Sequence, residues 1–338
     1  MMNTKSLEML TANGTQNIVL ANTLHKRSVW LIVVESGILF VISFLALAGN
    51  ILICAAVYRK PSLRTVTNMF IVSLAACDIL MAAVAMPLSE GTLITGEWMY
   101  GRVTCQIQGF TIHLLVFHSV QVIMLTAINR NLSVVRPELY RRIFSKRATL
   151  VMILGVSVVS AAAMAALVFF LTSYFIFHPG KAICVVTFRN LSQSRQYTII
   201  FAAIFIVVPF LVISVCYLRV IQTIRSHRRE FESSRGVLDS SSVLLREEDK
   251  LSRIVLAIIL GFAACWVPCA IIDIIDTTTV EWLPRQVYLL YMYLGYGSCL
   301  LNPCLYGGMN KQVRREMFGL MFCRGSRKRL ATRRELRN

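Results

Sequence analysis

Seven long apolar stretches constrain the fold of this chain more than any other feature of its sequence. Each is close to the roughly 20 residues that an α-helix needs to cross a bilayer. Soluble helices rarely run this far without an amphipathic stripe, so buried helices of a soluble protein are the weaker alternative. The pattern predicts an all-α membrane protein, a seven-transmembrane helix bundle. The stretches are 29–58, 66–88, 107–128, 148–174, 197–218, 254–275 and 287–307.

The placement of positive charge predicts the topology. The net charge is +18, and Lys and Arg concentrate in the tail and in the short connections after the first, third and fifth stretches. The positive-inside rule then puts the N-terminus outside and the tail in the cytoplasm of a multi-pass plasma-membrane protein, although Lys26 and Arg27 argue weakly the other way. Because the charge flanks the apolar stretches, we expect membrane lipid and an acidic cytoplasmic partner, not nucleic acid.

The same topology divides the chain into four segments. Val313, Met317, Leu320 and Met321 recur at helical spacing just after the last stretch, which predicts an amphipathic helix on the inner membrane surface. The polar start of the chain lacks the apolar core of a signal peptide, so we expect the first stretch to act as an uncleaved anchor. The segments are an extracellular arm 1–28, the seven-helix domain 29–308, the amphipathic helix 309–323 and a basic cytoplasmic tail 324–338.

Cysteine and asparagine positions predict three covalent modifications. Cys105 and Cys184 are the two cysteines on the outer side, where an oxidising compartment favours a disulfide between them. Asn13 and Asn190 stand in outer acceptor sequons for N-glycosylation. Cys323 follows the amphipathic segment on the inner side, a position that suits palmitoylation, with a free thiol as the alternative.

A carboxylate lies in the middle of the second stretch. Isolated in hydrocarbon, Asp78 costs at least about 2.5 kcal/mol, so it should face the bundle interior and meet polar groups of other helices. The candidates are Asn50, Ser119, Ser298 and Asn302. Such hard oxygens suit an allosteric sodium ion. The alternative is a protonated Asp78 in a structural hydrogen-bond network.

Prolines within the last two stretches indicate helices that move. Pro268 follows Trp266 in the sixth stretch, and Pro303 follows Asn302 in the seventh. A proline inside a membrane helix frees a backbone carbonyl and kinks the helix. Polar and aromatic groups at both kinks therefore suggest a conformational switch.

Arg130 ends the third stretch on the inner side, next to Asn129. An acidic run that contains Glu248 lies at the base of the sixth stretch. A charge-assisted bond between Arg130 and this run would hold the inner face shut. The alternatives are an arginine that only snorkels and an acidic run that is only solvated.

These residues together resemble the landmarks of rhodopsin-like G-protein-coupled receptors over residues 29–323. The matching positions are Gly49 with Asn50, Asp78, Trp98 with Gly101 and Cys105, Arg130, Pro209 with Tyr217, Trp266 with Pro268, and Asn302 with Pro303 and Tyr306. Within the family the chain looks most similar to melatonin receptors, on the segments 105–110, 127–130 and 262–268. It departs from their pattern at Asn302–Pro303, where melatonin receptors carry Asn-Ala, and at Val186 and Phe188 after Cys184.

The resemblance implies a non-enzymatic receptor with a pocket between the outer halves of the third, fifth, sixth and seventh helices. His113 and Asp273 are the polar members of an otherwise apolar and aromatic lining, which suits a small, largely apolar ligand such as an indoleamine. His113 as a simple packing residue is the alternative. The implied lining is Gly109, Ile112, His113, Val116, Phe201, Phe205, Trp266, Cys269, Asp273, Met292 and Tyr296.

The resemblance also implies how the signal crosses the membrane. Ligand binding favours an open inner face by differential affinity. The sixth helix then swings out, and a helix of a heterotrimeric G protein enters the cleft; arrestin and a receptor kinase are further implied partners. The implied switch residues are Asn129, Arg130, Tyr217, Glu248, Phe262, Trp266, Pro268, Asn302, Pro303 and Tyr306.

Other functions fit the sequence less well. Covalent retinal needs a lysine inside a helix for a Schiff base, and no lysine lies within a stretch, so we expect no retinal cofactor. A transporter should show repeated halves with paired broken helices, which the sequence lacks. An amine receptor of this family would carry an acid at Ile112, yet Asp273 leaves a peptide or amine ligand open. An orphan receptor that is active without an agonist is a further alternative.

Overall fold

The computed structural model describes residues 4–170, 174–187, 203–233, 240–278, 283–309 and 311–321, and it leaves out some side chains within these ranges, chiefly in 4–14 and 227–252. Over the described ranges the chain is mainly helical, with one two-stranded hairpin.

Seven helical segments in the described ranges correspond to the seven apolar stretches. By length and composition six of these helices can cross a membrane, and helix 7, which is divided in three, completes the bundle. The predicted fold is confirmed. The bounds are Val29–Arg59 (helix 1), Val66–Thr95 (helix 2), Gly101–Val135 (helix 3), Lys146–Phe170 (helix 4), Ala203–Val207 with Val208–Ser233 (helix 5), Ser240–Thr278 (helix 6), and Arg285–Gly297 with Ser298–Leu300 and Leu301–Met309 (helix 7).

Irregular turns within the helices lie next to prolines or polar residues. A π-helical turn, Met81–Ala85, precedes Pro87 in helix 2, and a second, Ala203–Val207, precedes Pro209 in helix 5. A proline ring lacks an N–H and clashes with the preceding turn, and wider turns relieve this conflict. In helix 7 the 3₁₀ turn Ser298–Leu300 lies directly before Asn302 and Pro303.

Polarity is distributed as expected for a bundle in lipid. Apolar side chains such as Val151, Leu154 and Val158 of helix 4 are more than half exposed, whereas the polar Asn50 and Asn129 are fully buried. Such a surface is typical of contact with lipid tails, because exposing this much apolar area to water is unfavourable. The bundle core is therefore held by packing and by internal polar contacts.

A β-hairpin caps one end of the bundle, called here the hairpin end. Strand β1, Tyr174–His178, pairs antiparallel with β2, Ile183–Thr187. The predicted disulfide between Cys105 and Cys184 is present and ties β2 to helix 3. One boundary was wrong: the fourth apolar stretch was extended to residue 174, but Tyr174 begins β1, because its aromatic and β-branched run suits a strand.

Helix 3 anchors the hairpin with two glutamine side chains. The Gln106 amide donates to the Phe175 carbonyl at 2.6 Å, and its oxygen accepts the Phe175 N–H at 3.0 Å. The oxygen of fully buried Gln108 accepts the Cys184 N–H at 3.0 Å. These three hydrogen bonds and the disulfide together fix both strands over the bundle.

Three further α-helices in the described ranges lie outside the seven, and one of them, Pro137–Ile143, follows helix 3. An N-terminal helix, Thr4–His25, occupies most of the segment predicted as a polar arm, and it buries Leu20 and Leu24 against the hairpin end. The C-terminal helix Lys311–Met321 forms as the spacing predicts. It buries Val313 and Met317, while Met321 is 50% exposed.

Candidate functional site

The predicted ligand pocket is closely packed at the hairpin end. Ile112, Cys269 and Met292 are buried, and Val116 packs against the same cluster. Gly109 lies directly beneath the Phe175 ring, which occupies the space that a Cβ at that position would need. The hairpin thus reaches into the pocket that the resemblance implies.

His113 has partners within the protein. Its Nδ1 lies 2.8 Å from the Gly109 carbonyl oxygen, and its ring centroid lies 5.3 Å from that of Phe175. Its Nδ1 is therefore engaged by its own helix, while its ring packs against the Phe175 ring of the hairpin.

The turn of the hairpin inserts a lysine between two acids of helix 6. The Lys181 ammonium lies 2.8 Å from Asp273 Oδ1 and 2.9 Å from Asp276 Oδ2, and 4.4 Å from the centroid of the Tyr291 ring. The Tyr291 hydroxyl donates to the other Asp273 oxygen at 3.0 Å. Burial opposes the charge, but the two carboxylates outweigh it and raise the pKa of Lys181.

Tyr288 of helix 7 completes this cluster. Its hydroxyl donates to Asp276 at 2.6 Å and accepts a bond from the Gln16 amide of the N-terminal helix at 2.7 Å. The His178 ring lies 4.9 Å from the Tyr288 ring. Burial and the neighbouring Lys181 charge lower the pKa of His178 to about 3. Hairpin, helix 6, helix 7 and the N-terminal helix meet here.

A second ion cluster joins the N-terminal segment to helices 1 and 7. Glu35 accepts a bond from Arg27 at 2.6 Å and is paired with Arg285, and all three side chains are almost fully buried. Arg27 also donates to the Leu93 carbonyl of helix 2. This cluster therefore joins the N-terminal segment to helices 1, 2 and 7 at the hairpin end.

Aromatic side chains lie at the base of the predicted pocket. The rings of Phe262 and Trp266 lie 5.8 Å apart, and the buried indole N–H of Trp266 has no hydrogen-bond partner. The Tyr296 hydroxyl lies 2.9 Å from Ser89 Oγ, so it faces helix 2. The predicted pocket residue Phe201 and the side chain of Phe205 lie outside the described residues.

A small cavity lies below these aromatic side chains. Its volume is about 30 Å³, enough for one or two waters. Asn302 Nδ2 donates to Asp78 Oδ2 at 2.7 Å, and Asn50 donates to the Cys299 carbonyl at 3.0 Å. Val116, Trp266 and Phe262 line the cavity from the pocket side, and Asp78, Ser119, Ser298 and Asn302 supply its oxygens.

Arg130 lies at the opposite end, buried and held by neutral oxygens. Its guanidinium donates to Thr67 Oγ1 of helix 2 at 2.5 Å and to Asn129 Oδ1 at 3.0 Å. The Thr67 hydroxyl itself lies 3.3 Å from Asn129 Oδ1. The predicted partner Glu248 lies on helix 6, but its side chain is outside the described residues, so that pairing stays a prediction.

Two tyrosines of the predicted switch are buried in the same region. Tyr306 and Tyr217 are 1% and 4% exposed, and the Tyr217 hydroxyl has no hydrogen-bond partner. Asn131 donates to the Cys216 carbonyl at 3.1 Å and so joins helix 3 to helix 5. Pro303 packs against helix 1, where a Cβ on Gly49 would lie 2.6 Å from it.

Several residues of these clusters were missed from the sequence. Lys181, Asp276, Tyr291 and Thr67 carried no local signal, because their partners lie far away along the chain. His118 was also missed: it bridges Ser73 of helix 2, at 3.0 Å, and Ser157 of helix 4, at 3.2 Å.

Glycosylation and palmitoylation stay predictions. Asn190 and Cys323 lie outside the described residues, as does the side chain of Asn13.

Comparison with known proteins identifies the family. Residues 49–306 match the family model of the 7 transmembrane receptor (rhodopsin family). Melatonin receptor type 1B of Mus musculus is 31% identical over 86% of this chain and 78% of its own length. Melatonin receptor type 1B-B of Danio rerio is 28% identical over 87% and 83%. 5-hydroxytryptamine receptor 4 of Cavia porcellus is 26% identical over 84% and 78%.

A solved structure agrees on the fold. Squid rhodopsin superposes with a TM-score of 0.75 at 21% identity, covering 88% of this chain and 86% of that one. Proteins of this family are receptors and not enzymes. The chain therefore belongs to the rhodopsin family of seven-transmembrane receptors and is similar to the melatonin receptors within it.

Proposed function

We propose that this receptor sits in the plasma membrane with the hairpin end outside, binds a small, largely apolar ligand there, and activates a heterotrimeric G protein at the Arg130 end. One observation carries the proposal: a single cavity is lined by two predicted pocket residues, Val116 and Trp266, by the predicted switch residue Asn302 and by Asp78 of the predicted sodium site. A ligand that moves the Trp266 ring changes the packing of this cavity directly.

The mechanism is a shift between two arrangements of the helices. A ligand that contacts the pocket better when helix 6 is displaced favours that arrangement by the difference in affinity. Trp266 and Phe262 then repack, and the kink at Pro268 converts a small shift near the pocket into a larger one at the inner end of helix 6. Release of Arg130 from Thr67 and Asn129 opens the cleft for the G protein.

A sodium ion is proposed as an allosteric ligand of the central cavity. Asp78 supplies the charge, and Ser119, Ser298 and Asn302 add neutral oxygens around a space that holds one or two small occupants. This donor set fits a hard monovalent cation. Since Asn302 lies beside Pro303, such an ion would stabilise the resting arrangement of helix 7, in which Asn302 stays next to Asp78.

The ligand is proposed to be neutral or nearly so, and indoleamine-like in size and shape. The pocket lining is apolar and aromatic, and the one acid in the predicted lining, Asp273, is already paired with Lys181. The melatonin receptors among the relatives give this ligand class its support. Arrestin, a receptor kinase and inner-leaflet lipid are proposed further partners on the basic inner side.

A second candidate is a receptor that signals without a soluble agonist. The observation in its favour is that two hairpin residues contact the predicted lining, since Phe175 packs on Gly109 and Lys181 pairs with Asp273. On this reading the hairpin is the internal agonist.

A ligand screen in cells tests both candidates. Neutral indole amides and their protonated amine counterparts are added to cells that express the receptor, and G-protein dissociation is recorded for each G-protein class. We expect neutral ligands to raise the signal, with no response from Arg130→Ala at equal surface expression. A high agonist-free signal that no ligand raises supports the second candidate. No signal above that of Arg130→Ala under any condition contradicts both.

A further inference from the structure

The Lys181 ammonium occupies the kind of site in which an amine ligand would bind. Carboxylate oxygens of Asp273 and Asp276 lie within 2.9 Å of it, and the ring of Tyr291 lies 4.4 Å from it. Two carboxylates and an aromatic face are the groups that bind organic ammonium ions. The Lys181 side chain is only 5% exposed, so its ammonium is buried, whereas the Asp273 and Asp276 side chains are 49% and 19% exposed.

The hairpin holds this ammonium in place before any ligand arrives. Cys184 is three residues beyond Lys181 and is bonded to Cys105 of helix 3. The backbone on the other side is fitted closely to helix 7, since a Cβ on Gly180 would lie 2.8 Å from the Tyr288 ring. A tethered, preorganised ammonium group competes for the two carboxylates at a high effective concentration. A free amine would displace it only if the amine bound these carboxylates much more tightly.

We propose that Lys181 determines ligand specificity: it is an internal cation that fills the ammonium site of Asp273 and Asp276 and so excludes protonated amines from the pocket. A neutral ligand escapes this competition, because it needs no counter-ion there. The inference rests on the proposed function for the location of the pocket, but the site itself is defined by the contacts of Lys181 alone.

Truncation of the lysine should turn the receptor into an amine binder. Lys181→Ala leaves the space of a three-carbon chain and its ammonium, which n-propylammonium fills. Thermal unfolding of the purified full chain is recorded with millimolar n-propylammonium, or with 1-propanol as its neutral isostere. We expect Lys181→Ala to unfold several degrees below wild type, because two carboxylates lose their partner. Binding of n-propylammonium should restore the midpoint by mass action, and 1-propanol should not.

The wild type and two further variants complete the design. Wild type and Lys26→Ala, which removes an exposed lysine near the same end, should show no shift with n-propylammonium. If Lys181→Ala alone does not fold, Lys181→Ala/Asp276→Asn relieves the excess charge and keeps Asp273, and it should still respond. Lys181→Ala/Asp273→Asn/Asp276→Asn should lose the response.

Three results overturn the proposal: an equal ammonium response in wild type and Lys181→Ala, an equal response to 1-propanol, or a response that survives in the triple variant. Because unfolding is measured without a G protein or an agonist, these results stand apart from a failure of the proposed signalling function, which the cell assay reports.

Discussion

Among the contacts within the described residues, Arg130 donates hydrogen bonds to neutral oxygens on its own helix and on helix 2. Thr67 and Asn129 accept hydrogen bonds from its guanidinium, and both of these acceptors are neutral. Hydrogen bonds to a charged group contribute about 1.5–3 kcal/mol, more than neutral ones. Thr67 therefore contributes to the free energy that holds Arg130 in this arrangement.

Thr67→Val should raise agonist-free signalling. Loss of about 1.4 kcal/mol from the resting state raises the ratio of active to resting receptor about tenfold. Asn129→Asp should lower it, because a carboxylate beside Arg130 adds charge attraction. G-protein dissociation at equal surface expression measures both. Thr126→Val is the matched control, because its buried hydroxyl bonds only the Val122 carbonyl of its own helix among the contacts seen. Equal basal signals in Thr67→Val and Thr126→Val would refute this role of Thr67.

Asp78 should make the receptor sensitive to sodium. We expect the ligand-free protein to unfold at a higher temperature in sodium chloride than in the chloride of a large organic cation, since only the small ion fits the cavity. Asp78→Asn should remove the difference, whereas Glu97→Gln, at an exposed carboxylate, should keep it. A wild-type unfolding temperature that is the same in both salts argues against the site.

His178 should make the hairpin end sensitive to acid. Its pKa is about 3 in the folded protein against an ordinary value of 6.5, so below about pH 6.5 the unfolded chain binds a proton that the folded chain does not. The contribution of His178 to the free energy of unfolding is therefore constant above about pH 7. It falls as the pH decreases and is lower by about 2 kcal/mol at pH 5.

Thermal unfolding across pH 5 to 7 measures this loss. His178→Asn, which keeps an acceptor for the Lys181 N–H, should flatten the pH dependence by that amount. His25→Asn, at an exposed histidine, should leave it unchanged. Parallel pH curves for wild type and His178→Asn would show that His178 does not carry the effect.

At the scale of elements, the hairpin is the part that the sequence did not predict. Hydropathy identifies helices because each one shows its pattern within its own residues. The hairpin depends instead on distant partners: Lys181 meets Asp273 across 92 residues, and Gln106 meets Phe175 across 69. The N-terminal helix was missed for the same reason. Among its described side chains Leu20 and Leu24 are the buried apolar ones, and two residues four apart are a weak helical signal.

Gly180→Ala should loosen the hairpin from helix 7. An added Cβ would lie 2.8 Å from the side chain of Tyr288, which is fully buried and cannot move without disturbing Asp276 and Gln16. Overpacking of this kind costs about 1–3 kcal/mol. Hydrogen exchange of the hairpin amides should become faster in this variant. Gly155→Ala on helix 4, where a Cβ meets nothing, should leave exchange unchanged or slower. Equal protection in the two variants would mean that this contact does not hold the hairpin.

At the scale of the whole molecule, polar groups form a column through an apolar bundle. Lys181 with its two acids, the cavity at Asp78, and Arg130 lie in that order from one end to the other. The intramembrane positions of Asp78, Arg130, Pro268 and Pro303 are readable from the sequence, because polar residues and prolines are conspicuous in hydrocarbon. Their partners are not, since which side chains meet depends on how the helices pack.

The central claim is that this bundle opens at the Arg130 end to admit a G protein. The distance between spin labels at Arg141→Cys, beyond helix 3, and Arg253→Cys, on helix 6, measures that opening in a receptor whose other reactive cysteines are replaced. With nucleotide-free heterotrimer of the responsive class we predict a second, longer distance, which disappears when guanine nucleotide is added. A single distance that no class of heterotrimer changes would contradict the claim.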